Sequence, residues 1–274
     1  MCAGTSKDSD SASLSPAAHR LKTQRQAMVW RIQKMTFWVL YDHLGHFIVL
    51  NLLTMLPLAA LLWLSQNSPI SSAMLNLVAI VIYTSVVTAG QLNLVNVLLS
   101  GGAFEYRHLW NGMGRFGLAT LLLGVIAALA LVVCGVGLWF YGGVLAFTYP
   151  MPGIILAQCC ASALALLLMA VFFALPSLPS RSVGTLGALR IGLALVAGHP
   201  VVSLGLLITV CIYAVFMITP PGAALLSTVP LVVLASCAYE LLARYHGGDQ
   251  DIREDEEDDY LNRGFRDFLF PWKG

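Results

Sequence analysis

The chain is 274 residues long, 58% hydrophobic and only 11% charged, with a net charge of +1. Soluble domains carry about 25% charged residues, so this composition excludes an ordinary globular enzyme and points to a polytopic membrane protein. The near-neutral balance gives no basic surface for nucleic acid.

Where the charges fall says more than their total. None occurs between Asp42 and Glu105, between Arg115 and Arg181, or between Arg190 and Glu240. Each gap holds two crossings at about 20 residues apiece. The predicted fold is therefore an all-α membrane bundle of six transmembrane helices, over residues 44–65, 73–99, 116–141, 153–175, 200–218 and 223–243. Lys7, Arg20, Lys22, Arg25, Arg31 and Lys34 precede the first span. Arg107 and Arg115 follow the second, and Arg181 and Arg190 follow the fourth. The three opposite loops carry no charge, so the positive-inside rule puts both termini in the cytoplasm.

In chain order this gives a disordered N-terminus (1–19), an amphipathic cytoplasmic helix (20–43), a membrane domain (44–245), an acidic linker (246–259) and an aromatic C-terminal segment (260–274). In the second part Met28, Ile32, Met35 and Val39 recur at helical spacing, with Arg25, Arg31 and Lys34 off that stripe. Such a helix either lies on the inner leaflet, with Trp30 and Trp38 at the interface, or packs on the bundle's end. Pro57 is expected to bend the first span, with the Thr54 hydroxyl taking the carbonyl it frees. Residues 101–115 read as a short interfacial helix, after which Arg115 opens a Gly-rich third span. Residues 180–198 read as another amphipathic helix, with Leu186, Leu189, Leu193 and Val196 on one face.

The second span carries the most distinctive polar pattern. Thr84, Thr88 and Gln91 fall at i, i+4 and i+7, on one helix face. A polar stripe on a membrane helix rarely faces lipid, where its hydrogen-bonding groups go unmet. With Asn51, Asn93, Asn96 and Gln158 it forms a candidate polar seam, with the second span as the central helix. Such residues are more often interhelical glue than a solute path.

Three entries into odd-numbered spans look alike, each with Gly before His or Arg: Gly45-His46, Gly114-Arg115 and Gly198-His199. They suggest three repeated units of amphipathic helix plus transmembrane hairpin, beginning near residues 28, 101 and 182. At the C-terminus, residues 249–259 hold eight acidic residues in eleven. Beyond them Leu261, Phe265, Phe268 and Trp272 fall near one helical face, and Phe265, Phe268 and Trp272 are candidate docking residues for lipid, for the chain's own inner face or for a partner.

No catalytic, metal or cofactor motif stands out. There is no His-Glu-x-x-His site, no P-loop and no charged residue inside a span. Apart from Cys2, the cysteines (Cys134, Cys159, Cys160, Cys211 and Cys237) lie within spans without zinc spacing and read as packing residues. Asp42, Glu105 and Glu240 are the only acids near the membrane outside the tail, and an enzyme acting on lipids at the inner rim ranks last among the readings.

The run Asp42-His-Leu-Gly-His-Phe-Ile-Val-Leu-Asn-Leu-Leu53, with Pro57 beyond it, resembles the opening span of the YesL-like bacterial membrane proteins, a family with a domain of unknown function. Leu109-Trp-Asn-Gly-Met-Gly-Arg-Phe116 is similar to that family's aromatic segment before span three. The resemblance covers about residues 35–240 and leaves out the acidic linker and the tail. It implies a six-helix protein of the bacterial inner membrane, linked in some members with carbohydrate uptake, and supplies no catalytic residues. The expected function is thus a non-enzymatic membrane protein that assists or regulates a membrane assembly. The alternative is a channel or carrier for a small neutral solute lined by the second span. The expected partners are the lipid bilayer and a membrane protein.

Overall fold

The computed structural model describes residues 16–66, 70–217 and 228–247. They form α1 (Pro16–Asp42), α2 (Leu44–Gln66), α3 (Ile70–Leu99), α4 (Tyr106–Trp139), a π-helical turn (Phe140–Leu145), α5 (Ala146–Thr148), α6 (Pro150–Arg181), α7 (Thr185–Gly198), α8 (Pro200–Met217) and α9 (Thr228–Gly247). Among the described residues there is no strand. The docking candidates Phe265, Phe268 and Trp272, and the acidic run, lie outside the described residues.

Each predicted hydrophobic stretch has its own helix, and long apolar helices make this an all-α membrane-type bundle. Four stretches are long and apolar enough to cross a membrane: Leu44–Leu61, Val78–Leu99, Tyr106–Thr148 and Pro150–Arg181. A fifth counts if α7 and α8, which meet at 106°, form one broken span. The apolar part of α9, Thr228–Ala243, is shorter.

Several local expectations change. The break before α2 falls at His43, so Gly45 and His46 lie inside that helix. Arg115 does not open a new helix, because α4 runs unbroken from Tyr106 through 34 residues. That is about 51 Å at 1.5 Å per residue, against a hydrocarbon core of about 30 Å. The helix therefore has length to spare for both interfaces. The three Gly-His/Arg entries consequently differ: the first and third adjoin a helix break, and the second has none.

The most enclosed helix is α9, not α3. Between Val229 and Leu242 only Leu231 and Glu240 are not fully buried. α9 packs against α1, α2, α3 and α6, and a helix apolar on all sides is one surrounded by others. α1 takes the bundle-packing option: Ile32, Met35, Trp38 and Val39 are in the core, with Trp30 left exposed. Gln33 Nε2 also donates to Thr209 Oγ1 of α8 at 2.9 Å. On α7 the buried face is Ala188, Gly192, Leu195 and Val196, while the expected Leu186 and Leu193 are exposed. Small residues win because they let α7 approach α6 closely: a side chain on Gly192 would collide with the Ala170 carbonyl.

The same device joins α3 to α4. A Cβ on Gly112 would sit 2.5 Å from the Asn93 Cβ and 2.9 Å from the Ala89 carbonyl oxygen. One on Gly90 would lie 2.7 Å from the Leu109 oxygen. Overpacking a tight contact costs about 1–3 kcal/mol. Gly112→Ala should therefore lower stability by that amount in reversible unfolding from detergent. Gly114→Ala, which meets nothing within 4 Å, should be neutral or gain about 0.5–1 kcal/mol from helix propensity.

Candidate functional site: a hydroxyl–amide seam across three helices

Gln91 on α3 is completely buried. Its amide has both a donor and an acceptor to satisfy, and in an apolar bundle only another side chain or a freed carbonyl can do so. Thr54 of α2 accepts from Gln91 Nε2 at 3.2 Å. Thr228 of α9 donates to Gln91 Oε1 at 3.1 Å. The Thr54 hydroxyl in turn donates a hydrogen bond to the Leu50 carbonyl at 2.8 Å. The result is a directional chain, Thr228 to Gln91 to Thr54 to Leu50, that ties α9, α3 and α2 together without any ionisable group.

A second link sits beside it. Pro57 has no N–H, so it frees the Leu53 carbonyl one turn earlier in α2. The Tyr83 hydroxyl from α3 takes that carbonyl at 3.2 Å, with the Thr54 carbonyl at 3.4 Å. The expected role of Thr54 as the partner of that carbonyl thus passes to Tyr83.

The other predicted seam residues divide. Asn51 is buried on α2, one turn from Thr54. Thr84 and Thr88 turn back on their own helix, donating to the Ile80 and Thr84 carbonyls at 2.8 and 2.7 Å. Asn93 Nδ2 donates to the His108 carbonyl at 2.8 Å, fastening the start of α4 to α3. Asn96 is half-buried, and Gln158 is exposed on α6, outside the seam. Thr228 was not among the predicted seam residues. Its signal was one of two adjacent hydroxyls, Ser227 and Thr228, inside the predicted sixth span, which sequence alone does not tie to Gln91. Tyr83 likewise gave no signal, since its hydroxyl matters only because Pro57 faces it.

Gln91 lies within the apolar stretch Val78–Leu99 of α3. Gln91 is eight residues from the end of α3 at Leu99, or about 12 Å. That end leads into the α3–α4 connection, residues 100–105. There Phe104 packs against His46 at 4.3 Å between ring centroids, His43 at 6.2 Å and Phe47 at 6.2 Å. Tyr106 closes on Phe104 edge-on at 5.3 Å. His108 Nε2 lies 3.9 Å from Glu105 Oε2, whose side chain is largely exposed. Burial holds the His43 imidazole below its ordinary value; Asp42 opposes this and His46 adds to it. Farther along α4, Arg115 Nη2 donates to Ser182 Oγ at 3.3 Å, steadying the left-handed residue that ends α6.

Among the described residues no three His, Cys, Asp or Glu side chains come together as a metal site. What the seam itself can do is hold helices in register. No protein-family model, curated protein or solved structure matches the chain.

Interhelical hydrogen bonds in membrane proteins are worth about 0.6 kcal/mol on average and up to about 1.7 kcal/mol. A double-mutant cycle of Gln91→Leu and Thr228→Val should return a coupling in that range, read from unfolding in mixed micelles. Thr88→Val, whose bond is local to α3, should show no coupling to Thr228→Val.

Proposed function

We propose that the chain is a non-enzymatic, six-span membrane protein of the bacterial cytoplasmic membrane, YesL-like in kind, that assists or regulates a membrane assembly such as a solute-uptake system. Both termini face the cytoplasm in this reading. The observation that carries it is the path from the seam to the tail. α9 is the most enclosed helix, and Thr228 bonds its start to Gln91. Its other end, Gly247, is two residues from the acidic run of residues 249–259, which the aromatic segment follows. A partner that grips Phe265, Phe268 and Trp272 therefore pulls on the helix that four others surround. The polar seam supports the same reading, because the Gln91 amide is engaged by hydroxyls of two other helices instead of being offered to a solute.

The test is purification of the intact protein in mild detergent beside a version ending at Asp259, with co-purifying proteins identified by mass spectrometry. The expected result is a stoichiometric partner held by the intact chain and lost on truncation. If both preparations return the same empty list, the assembly reading fails, and flux assays in liposomes become the next experiment.

The topology has its own check. Gly114 and Gly143 both have open space where a side chain would go. Single cysteines at these two positions, in a background with the native cysteines replaced, should react with a membrane-impermeant maleimide from opposite faces, Gly114→Cys from the cytoplasmic one. Labelling of both from the same face would overturn the six-span orientation.

A further inference from the structure

Where α4, α6 and α7 meet, two arginines are brought to one corner. Arg115 of α4 donates to Ser182, and Arg181, the last residue of α6, precedes that serine in the chain. Both arginines and Ser182 are exposed. The Arg115 guanidinium is held from two sides, by the Ser182 hydroxyl and by the Phe116 ring, whose centroid is 5.2 Å away. Ser182 takes one of its N–H donors, and a guanidinium has five in all, set in a fork that matches phosphate oxygens.

No acid answers these charges. Arg107, Arg115, Arg181 and Arg190 all fall between Glu105 and Glu240, a stretch that holds no Asp or Glu. Among the described residues no carboxylate pairs with Arg115 or Arg181. Glu105, ten residues before Arg115, is about 15 Å from it along the helix and lies beside His108.

Apolar surface begins one turn beyond the arginines. α4 runs antiparallel to α6, since Arg115 meets Ser182 at one end and Gly137 faces the Cys160 sulfur farther along. α7 also runs back along α6, with Gly192 against Ala170. Both helices therefore leave the corner in the same direction. Leu118, three residues after Arg115, is 72% exposed, and Leu186, four residues after Ser182, is 79% exposed. Leu122 and Leu129 continue the exposed face on α4, and Leu193 continues it on α7. Cations first and leucines next is the order in which a phospholipid presents its phosphate and its acyl chains.

We propose that this corner binds an anionic phospholipid, with Arg115 and Arg181 on the headgroup phosphate and the acyl chains along Leu118 and Leu186. The acidic run of residues 249–259 offers charge for the arginines, but it holds a single aliphatic residue, Ile252, to cover the leucines. A phospholipid meets both demands. The site does not depend on the tail docking a partner.

Native mass spectrometry of the full chain tests this, with the protein released from mixed micelles that hold equal amounts of phosphatidylglycerol and phosphatidylcholine with the same acyl chains. The wild type should retain phosphatidylglycerol in preference. Arg115→Gln together with Arg181→Gln should lower that preference by about fivefold for each arginine removed. Arg115→Lys together with Arg181→Lys keeps both charges and should retain most of it. Arg31→Gln, which removes an exposed arginine of α1, should leave it unchanged. No preference in the wild type, or one that survives in the Gln pair, overturns the site. An equal loss in Arg31→Gln would make the effect one of diffuse surface charge, and an equal loss in the Lys pair would make it structural. Displacement of the lipid by inorganic phosphate, beyond that by chloride at equal ionic strength, would make the corner a site for a free anion. A preference that emerges only in a chain ending at Gly248 would give the corner to the acidic run.

Discussion

An amide buried in an apolar bundle cannot be left alone. Gln91 carries two polar ends into a place where water does not reach, and an unmet donor or acceptor there costs about 1–3 kcal/mol. The structure meets that demand by bringing Thr54 and Thr228 to it from two other helices. The arrangement fixes more than an energy. Hydrophobic packing alone lets neighbouring helices slide by a turn at small cost, whereas a bond from Thr228 to Gln91 is made at one register only. α9 thereby acquires a defined height against α3, and α2 acquires one through Thr54. Tyr83, by taking the carbonyl that Pro57 frees, fixes the same pair of helices a second time.

Around this polar tie the packing is set by what is missing from side chains. Gly90, Gly112 and Gly192 each stand where a Cβ would strike backbone or a neighbour's side chain. Within a membrane the hydrophobic effect does not distinguish a helix neighbour from a lipid tail, so close van der Waals approach becomes the main source of attraction. The α3–α4 and α6–α7 pairs use it. α9 uses it differently, presenting Ala235, Ser236, Cys237 and Ala238 in the region where it is enclosed on all sides. The long outer face of α4, from Leu118 to Val136, stays exposed, as expected of a surface turned to lipid.

The helix positions were partly legible from charge: the gap ends at Asp42, Glu105 and Arg181 fall at helix ends, whereas Arg115, Arg190 and Glu240 lie inside helices. Membrane crossings were less legible, because hydropathy counts apolar residues without saying what covers them. Residues 223–243 and the lipid-facing α4 look alike to such a count, yet the described part of that stretch, in α9, is among the most buried segments and α4 among the least. The seam was half legible. Of the periodic residues Thr84, Thr88 and Gln91, Gln91 bonds to hydroxyls of two other helices. The two threonines bond their own i−4 carbonyls, an option a hydroxyl has without a partner helix. Gln158 was misplaced because a polar residue near an interface meets water or headgroups, and its pattern does not distinguish that from a buried seam. On α7 the leucines drew the eye, while Ala188 and Gly192 decided which face packs.

How the seam is engaged bears on what it can do. Carriers that alternate access typically hold their solute near the bilayer midplane, at helices broken to expose backbone groups. Here Gln91 stands about 12 Å from the helix end by rise per residue, near the middle of a core about 30 Å thick, but α3 is unbroken through it. The tie at this residue holds three helices together. One of them is α9, and α9 is the element that the C-terminal tail follows. The enclosure of α9 and the tail that follows it are what the proposed assembly role draws on. A pore lined by Gln91 would require the two hydroxyls that now hold its amide to let go.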